Sequence, residues 1–197
     1  MIHFNFWPTL AFVAILISWV AFVITFLGHK KPPTPPEKKR DSSSIVGIVF
    51  QGLSYAALWI IRRRWFTPIF GSSKFSDIAL AVLTILLAAT SVWFCAAAIR
   101  TLGRQWSLAA RVVEGHKLVT QGPYSIVRNP IYTGMFGMLL ATGLAVSHWI
   151  GLALAVVMFA IGTFIRVRSE ERLLREMFAA EFDEYARRVT AVVPFLV

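Results

Sequence analysis

The chain has 197 residues, of which 57% are apolar and 15% are charged. Soluble domains average roughly 45–50% apolar and about 25% charged residues, so this composition excludes an ordinary soluble globular fold. The many Phe, Trp, Leu, Ile and Val residues also exclude intrinsic disorder. A net charge of +10 would suggest nucleic acid as the partner of a soluble protein. In a membrane chain it indicates instead the positive-inside bias and attraction to anionic lipid headgroups, with no nucleic acid involved.

Five long stretches carry no charged residue, and each is close to the ~20 residues (range ~17–25) that a helix needs to cross the membrane. They are Trp7–Gly28, Ile45–Ile61, Ile78–Ile99, Ile131–Ser147 and Trp149–Ile165. We therefore predict an all-α integral membrane fold with five transmembrane helices in a single domain, residues 1–197. The first stretch is interpreted as a span rather than a signal peptide, because residues 1–6 are not basic and its apolar run exceeds ~7–15 residues.

The segments between the predicted spans differ in chemistry. Segment 29–44 is basic and rich in Pro, so we expect an extended tether. Only His148 separates the fourth and fifth stretches, which predicts a tight hairpin. Small residues such as Ala141 and Gly151 are expected to bring those two helices together. The single cysteine, Cys95, lies inside a span and is interpreted as a small buried residue.

The distribution of Lys and Arg predicts the orientation of the chain. An N-terminus outside the cell places 16 of the 20 basic residues in the cytoplasm, where basic residues near span ends are retained. The exceptions are Lys74 and the cluster Arg62–Arg64, whose long stems could extend towards the interface. This orientation puts the C-terminus and segments 100–130 and 166–197 on the cytoplasmic side.

Those two cytoplasmic segments are the candidates for chemistry. Residues 115–132 combine Gly and Pro with aromatic and hydrogen-bonding side chains, which predicts a loop that leads into the fourth span. Residues 166–197 have apolar residues three and four apart and are predicted to continue the fifth span as an amphipathic helix. Arg166 and Glu170 lie four apart at the mouth of that span, where ionisable groups are costly unless paired or used. A purely structural salt bridge is the alternative interpretation.

Four motifs in these segments occur in order along the chain. They are Gly115-His-Lys-Leu-Val-Thr-Gln-Gly-Pro-Tyr124, Arg128-Asn-Pro-Ile-Tyr132, Arg166-Val-Arg-Ser-Glu-Glu171, and Phe178 followed by Glu181-Phe-Asp-Glu-Tyr185 and Pro194. Together they resemble the isoprenylcysteine carboxyl methyltransferase family, and membrane phospholipid methyltransferases share parts of the pattern. The resemblance covers residues 100–197, which we interpret as the catalytic half.

Members of that family are membrane enzymes that use S-adenosyl-L-methionine to methylate the carboxylate of a prenylated cysteine. The resemblance implies that Glu170 faces the cofactor and Arg166 faces the acceptor, so these two are the candidate catalytic residues. It also implies a cofactor pocket lined by the first and second motifs. Its residues would be His116, Lys117, Leu118, Val119, Tyr124, Asn129, Pro130, Ile131 and Tyr132.

Two positions depart from the pattern of the family. Many relatives have a His where this chain has Asn129, and an amide can donate a hydrogen bond but cannot carry a proton. A Gly after the Phe is common in the family, whereas Phe178 is followed by Ala179 and Ala180. We expect a slightly altered helix there rather than lost chemistry.

The residues themselves agree with this hypothesis. None of the 12 glycines forms a Gly-x-Gly pair, so the nucleotide-binding turn of a soluble methyltransferase is absent. The four histidines fall in different segments, so no metal is expected. An ionised carboxylate acceptor needs an anchoring cation, which Arg166 could supply. An amine acceptor would need a base, which Glu170 could supply. We therefore favour carboxyl O-methylation of a lipophilic acceptor, with phospholipid amine N-methylation and a non-enzymatic membrane scaffold as alternatives.

Overall fold

A computed structural model describes residues 5–28, 37–67, 69, 73–108, 111–113, 115 and 117–193, with residues 37–40 and 111–113 described by backbone alone. Within these residues the chain forms six α-helices and a two-stranded antiparallel ribbon. The helices are α1 (Phe6–Leu27), α2 (Ser43–Ile60), α3 (Lys74–Leu102), α4 (Pro130–Val146), α5 (Trp149–Phe178) and α6 (Ala180–Arg188). The ribbon pairs β1 (Glu37–Arg40) with β2 (Arg111–Val113).

The prediction of an all-α integral membrane fold is confirmed. Helices α1, α2, α3 and α5 are long and apolar enough to cross a membrane. Helix α4 is apolar but shorter, at 17 residues. The protein is therefore a multi-pass membrane protein, and the ribbon lies between helices rather than within a span. We call the end of the bundle that carries the ribbon the ribbon end, and the end at residues 147–148 the hairpin end.

The helices extend beyond the uncharged stretches where the chain supplies a cap. Helix α3 begins at Lys74, before the predicted Ile78, because Ser73 and Ser76 form a reciprocal capping box. The Ser73 hydroxyl accepts from the Ser76 amide at 3.1 Å, and the Ser76 hydroxyl accepts from the Ser73 amide at 3.1 Å. Lys74 and Asp77 interrupt the uncharged run without interrupting the helix. Charge alone therefore underestimates the helix length.

Packing within the bundle differs in part from the expected hairpin. The connection between α4 and α5 is tight, as predicted. However, Ala141 packs in a buried cluster with Phe22 of α1 and Cys95 of α3, and Gly151 lies against Ile61, just after α2. Helix α4 packs chiefly on α3, and α5 chiefly on α2. A short connection fixes only where two helices meet, and their apolar faces determine their neighbours.

At the hairpin end, Arg63 closes the C-terminus of α4. Its guanidinium donates to the carbonyl oxygens of Leu144 at 2.7 Å, Ala145 at 2.8 Å and Ser147 at 2.6 Å. Its Nε also donates to the carbonyl of Thr67 at 2.6 Å. Burial lowers the pKa of Arg63 to about 10, so the side chain stays charged at neutral pH. One of the basic residues that oppose the predicted orientation is therefore a helix cap.

At the ribbon end, two expectations are modified. The segment expected to be a tether contributes β1, which pairs with β2 of segment 100–130. The predicted tail helix is interrupted, because α5 ends at Phe178 and α6 begins at Ala180. Ala179 between them has a φ of 44°, a left-handed conformation that disfavours residues with a Cβ.

Candidate active site

A cavity of about 1120 Å³, including its open mouth, lies at the ribbon end. Its walls come from the ends of α1, α3, α4 and α5, from the loop between α3 and α4, and from α6. Concave sites lined by apolar and aromatic side chains with a few polar groups are typical of small-molecule binding.

The structure brings the sequence-predicted site residues together in this cavity. Ten of them line it: Lys117, Leu118, Val119, Tyr124, Asn129, Pro130, Ile131, Tyr132, Arg166 and Glu170. The eleventh, His116, lies outside the described residues. The two motifs of the loop and the motif at the end of α5 therefore face one another, although up to about fifty residues of chain separate them.

Arg166, Glu170 and Tyr132 form the polar centre of the cavity. The Nη2 atom of Arg166 lies 3.3 Å from Oε1 of Glu170, which is one helical turn further along α5. The hydroxyl of Tyr132 donates to the same oxygen. The Arg166 guanidinium lies 5.0 Å from the centroid of the Tyr132 ring, within cation–π range. Nη2 also donates to the Leu108 carbonyl oxygen, which connects α5 to the loop after α3.

The burial of these groups differs. The side chain of Arg166 is 5% exposed, whereas that of Glu170 is 29% exposed. A buried guanidinium needs acceptors, and here the Glu170 carboxylate and the Leu108 carbonyl accept from Nη2. Among the described residues, Arg166 Nε is buried without a hydrogen-bond partner. Glu170 retains surface that a bound molecule could contact.

The segment after α6 is hydrogen-bonded to two residues of the cavity wall, Arg128 and Asn129. The amide of Arg128 donates to the Thr190 carbonyl at 2.8 Å, and the amide of Asn129 donates to the Ala191 carbonyl at 2.9 Å. These bonds add an isolated parallel bridge between Val127 and Thr190. They hold the chain that leads into α4 against the tail, so the tail closes over the loop.

Asn129 is one of the two positions at which the sequence departs from the family pattern that the resemblance implies. Its Nδ2 donates to the Ala191 carbonyl at 3.0 Å and to Glu171 Oε1 at 3.4 Å. A primary amide has two N–H donors on one nitrogen, so it serves both acceptors at once. A neutral imidazole has only one N–H donor and could not serve both acceptors. The amide of Asn129 serves both, but it cannot take part in proton transfer.

Tyr124 and Tyr185 form a second pair in the wall. The Tyr185 hydroxyl donates to the Tyr124 carbonyl oxygen at 2.5 Å. Burial raises the pKa of Tyr185 to about 12. Burial, and then the Glu170 carboxylate, raise the pKa of Tyr124 well above its ordinary value. Both phenols are neutral at physiological pH, so they act as walls and hydrogen-bond donors.

The sequence did not identify several residues of the wall. Phe26 of α1 meets Trp106 edge-on, with ring centroids 5.9 Å apart and planes at 67°. The Oε1 of Gln105 accepts from the Lys117 amide and so fixes the first motif. Trp106 follows Gln105 inside segment 100–130 and could have been singled out as a large aromatic in a polar loop. Phe26 carries no such signal, because it is one apolar residue among many in α1.

Metal ligands are not clustered in this region. Among residues with described positions, no group of three or more His, Cys, Asp or Glu is arranged to hold a metal ion. The polar groups of the cavity are a carboxylate, a guanidinium, phenols and amides, which suit an organic ligand.

Comparison with known proteins supplies the family. A family model described as phospholipid methyltransferase matches residues 79–181, which is more than half of the chain. The chain belongs to this family. The match begins in α3 and ends at the start of α6, so it includes the loop, α4 and α5 but neither α1 nor α2.

Curated relatives of this family member support the resemblance inferred from the motifs. The protein-S-isoprenylcysteine O-methyltransferase B of Arabidopsis thaliana is 37% identical over 102 residues, covering 50% of this chain and 51% of that protein. The protein-S-isoprenylcysteine O-methyltransferase of Saccharomyces cerevisiae is 33% identical over 119 residues, covering 58% and 49%. The cobalt-zinc-cadmium resistance protein CzcN of Cupriavidus metallidurans is 35% identical over 136 residues, covering 65% and 57%. The chain spans about half the length of the curated relatives it matches.

Proposed function

We propose that the protein is an S-adenosyl-L-methionine-dependent methyltransferase that methylates a carboxylate of a lipophilic acceptor at the cytoplasmic face of the membrane. The observation that carries the proposal is the grouping of Arg166, Glu170 and Tyr132 in one cavity at the mouth of a membrane helix. Family membership and the names of the curated relatives support methyl transfer. An isoprenylcysteine-like acceptor is the first candidate.

The residues of the cavity fit S-adenosyl-L-methionine. This cofactor has an adenine, a zwitterionic amino-acid end and a sulfonium, so its site needs aromatic or apolar walls, hydrogen-bonding groups and a carboxylate. Leu118, Val119, Tyr124 and Tyr132 supply the walls, and the partly exposed Glu170 supplies the carboxylate. Bound there, the cofactor would supply an activated methyl group.

Methyl transfer to an ionised carboxylate depends on alignment and on the exclusion of water. Reacting atoms held ~3–3.5 Å apart in a dry site account for most of the acceleration of such a displacement. Tyr132 orients Glu170 through its hydroxyl, and the tail holds Asn129 and the loop closed. Arg166 would hold the acceptor carboxylate, and no general base is required.

The apolar lining of the cavity favours a lipophilic acceptor that arrives laterally from the bilayer. Phe26, Leu102 and Met135 line it from the ends of α1, α3 and α4, which are membrane helices. An acceptor with a hydrocarbon chain could keep that chain among these side chains while its polar end reaches Arg166. A free water-soluble acid would gain nothing from this wall.

The positive-inside rule supports a cytoplasmic active site and C-terminus, with the N-terminus outside. Segments 29–44 and 100–130, which connect helices at the ribbon end, and segment 166–197 hold 16 of the 20 basic residues in the sequence. Of the four basic residues at the hairpin end, Arg63 is needed there as the cap of α4. Its position therefore reflects helix termination as well as topology.

N-methylation of a phospholipid amine is the second candidate, because the matching family model is described as phospholipid methyltransferase. An amine must lose a proton before it attacks, and Glu170 would then act as a base. A non-enzymatic scaffold is the third possibility, and it predicts that substitution of Glu170 is silent.

The decisive experiment is a tritiated-methyl assay with purified protein in detergent. We expect transfer to a synthetic farnesylcysteine analogue, with a product that releases methanol in base. Transfer to phosphatidylethanolamine, with a base-stable product, would favour the second candidate. Calorimetry should give saturable S-adenosyl-L-methionine binding. In Glu170→Gln the Kd should rise about tenfold or more, because the carboxylate that contacts the cofactor is lost. A tenfold rise corresponds to ~1.4 kcal/mol of binding free energy.

Glu184→Gln is the matched control for that variant. Glu184 is exposed on α6 and pairs with Arg188 at 3.2 Å, away from the cavity. Its substitution should leave cofactor binding unchanged. Folded protein that neither binds the cofactor nor transfers a methyl group would contradict the proposal and favour the scaffold.

A further inference from the structure

Helix α2 lies outside the part of the chain that the family model matches, yet it contacts Arg166, the residue proposed to hold the acceptor carboxylate. The family match begins at residue 79, whereas α2 covers Ser43–Ile60. Two of its residues one helical turn apart, Gly47 and Gln51, face the same stretch of α5. That stretch ends in Arg166.

Gly47 shapes the space around the aliphatic stem of Arg166. A Cβ placed on Gly47 would lie 2.4 Å from Arg166 Cγ and 2.7 Å from the Gly162 carbonyl oxygen. A Cβ on Gly162 would in turn lie 2.8 Å from the Gly47 carbonyl oxygen. The two helices therefore cross glycine against glycine, which is how backbones approach closely in membranes. The stem of Arg166 lies directly beside this crossing and has no room to change rotamer towards α2.

Gln51 holds the head of the same side chain. Its Oε1 accepts from Arg166 Nη1 at 3.5 Å, and its Nε2 donates to the Thr163 hydroxyl at 2.9 Å. The residue is 2% exposed. A buried amide within an apolar helix is costly unless its groups are used, and here both ends of the amide are. Because a guanidinium only donates, the contact with Arg166 fixes the amide oxygen on that side, and the amide nitrogen then faces Thr163.

Four residues contact different parts of the Arg166 side chain. Gly47 limits the stem of Arg166, Gln51 holds Nη1, and Leu108 and Glu170 accept from Nη2. A guanidinium restrained at the stem and at both Nη atoms is oriented before any acceptor arrives. Such preorganisation increases affinity because less side-chain freedom is lost on binding.

We propose that Gly47 and Gln51 are positioning residues that orient Arg166 for the acceptor carboxylate, so that α2 contributes to acceptor binding. The inference rests on the proposed function, in which Arg166 holds the acceptor and Glu170 faces the cofactor. Loss of the α2 contacts should then raise the KM for the acceptor and leave the Kd for the cofactor unchanged.

The first test replaces Gln51 with the similarly long but apolar Met. We expect Gln51→Met to raise the KM for a farnesylcysteine analogue about tenfold, with kcat within about twofold. The Kd for S-adenosyl-L-methionine and the thermal unfolding temperature should match those of the wild type. A purely structural role for Gln51 would lower the unfolding temperature and weaken both ligands together, and that outcome overturns the inference.

The second test compares two glycines on the same helix. Gly47→Ala introduces a Cβ against the stem of Arg166, whereas a Cβ on Gly52 meets no atom within 4 Å. We expect Gly47→Ala to raise the acceptor KM and Gly52→Ala to leave it unchanged. If Gly47→Ala does not fold, Gln51→Met alone decides.

The outcomes distinguish failure of the proposed function from failure of this inference alone. Wild-type protein that methylates no carboxylate acceptor overturns the proposed function and this inference with it. Wild-type transfer combined with an unchanged acceptor KM in Gln51→Met overturns the inference alone.

Discussion

Arg128 and Glu171 form an ion pair that joins the loop before α4 to the end of α5. Arg128 Nε donates to Glu171 Oε1 at 2.9 Å, and the two side chains are only 14% and 13% exposed. Arg128 Nη1 also donates to the carbonyl oxygens of Ala186 at 2.8 Å and of Val189. One guanidinium therefore connects three parts of the chain that surround the cavity.

Replacing Arg128 with Met should remove these hydrogen bonds and destabilise the protein. The variant leaves the Glu171 carboxylate without its cation and two carbonyl groups without their donor. Hydrogen bonds to charged groups contribute ~1.5–3 kcal/mol each, so we expect a loss of about 3 kcal/mol in unfolding free energy. Denaturant unfolding in detergent measures it. Arg188→Met is the control, because that side chain is 70% exposed in a surface pair expected to contribute ~0–1 kcal/mol. Equal losses in both variants would refute the prediction.

Arg63→Met should destabilise the hairpin end. The substitution removes the donor for the carbonyl oxygens at the C-terminus of α4, and these oxygens have no further helical turn to bond. We expect a loss of about 3 kcal/mol, measured by thermal unfolding. Arg62→Met removes the same charge from the same end and costs only a cation–π contact with Trp65, ~0.5–1 kcal/mol. If both variants behave alike, charge rather than capping is responsible.

Ala179→Gly should stabilise the protein. Ala179 has a φ of 44°, and glycine adopts this conformation without a Cβ penalty. A gain of about 1 kcal/mol corresponds to an unfolding temperature ~2–4 °C higher for a chain of this size. Ala180→Gly is the control, because Ala180 begins α6 and glycine lowers helix stability. An unfolding temperature that falls in Ala179→Gly would contradict the conformational explanation.

Asp41→Asn should change how stability depends on pH. Desolvation alone would raise the pKa of Asp41, but hydrogen bonds from Ser43 and Arg172 prevail and hold it well below 3.8. Because the folded pKa is depressed, the stabilisation is fully present above the unfolded pKa of ~3.9 and is lost as pH falls through the folded value. Asp41→Asn should therefore unfold at a lower temperature at pH 7, and the difference should shrink below about pH 4. A difference that is constant with pH would disprove the linkage.

The membrane helices were predictable because charge is absent from any apolar run that must cross hydrocarbon. Their ends were less so, since Ser73 caps a helix that continues through Lys74 and Asp77. Helix neighbours were not predictable from the short connection at His148, because the faces of α2 and α3 decide which helices pack.

Ten of the eleven candidate site residues line one cavity because their motifs lie at segment ends that meet at the ribbon end of the bundle. Their roles stay predictions until ligands are bound. Phe26 was missed because no pattern distinguishes it from its neighbours in α1. Gln51 was missed although a polar amide in an otherwise apolar helix was a readable signal. The departure at Ala179 was noted from the sequence, and its positive φ is a conformation that glycine adopts without a Cβ penalty.

The contact between Phe26 and Trp106 joins a helix outside the family match to a loop inside it. The candidate cofactor residues all belong to the matched segment, whereas α1 brings Phe26 to the cavity and α2 brings Gln51 to Arg166. On the proposed function, changes in the first two helices would therefore alter acceptor preference while leaving the candidate cofactor residues unchanged. A chimera that exchanges residues 1–73 for those of a relative should inherit that relative's acceptor preference.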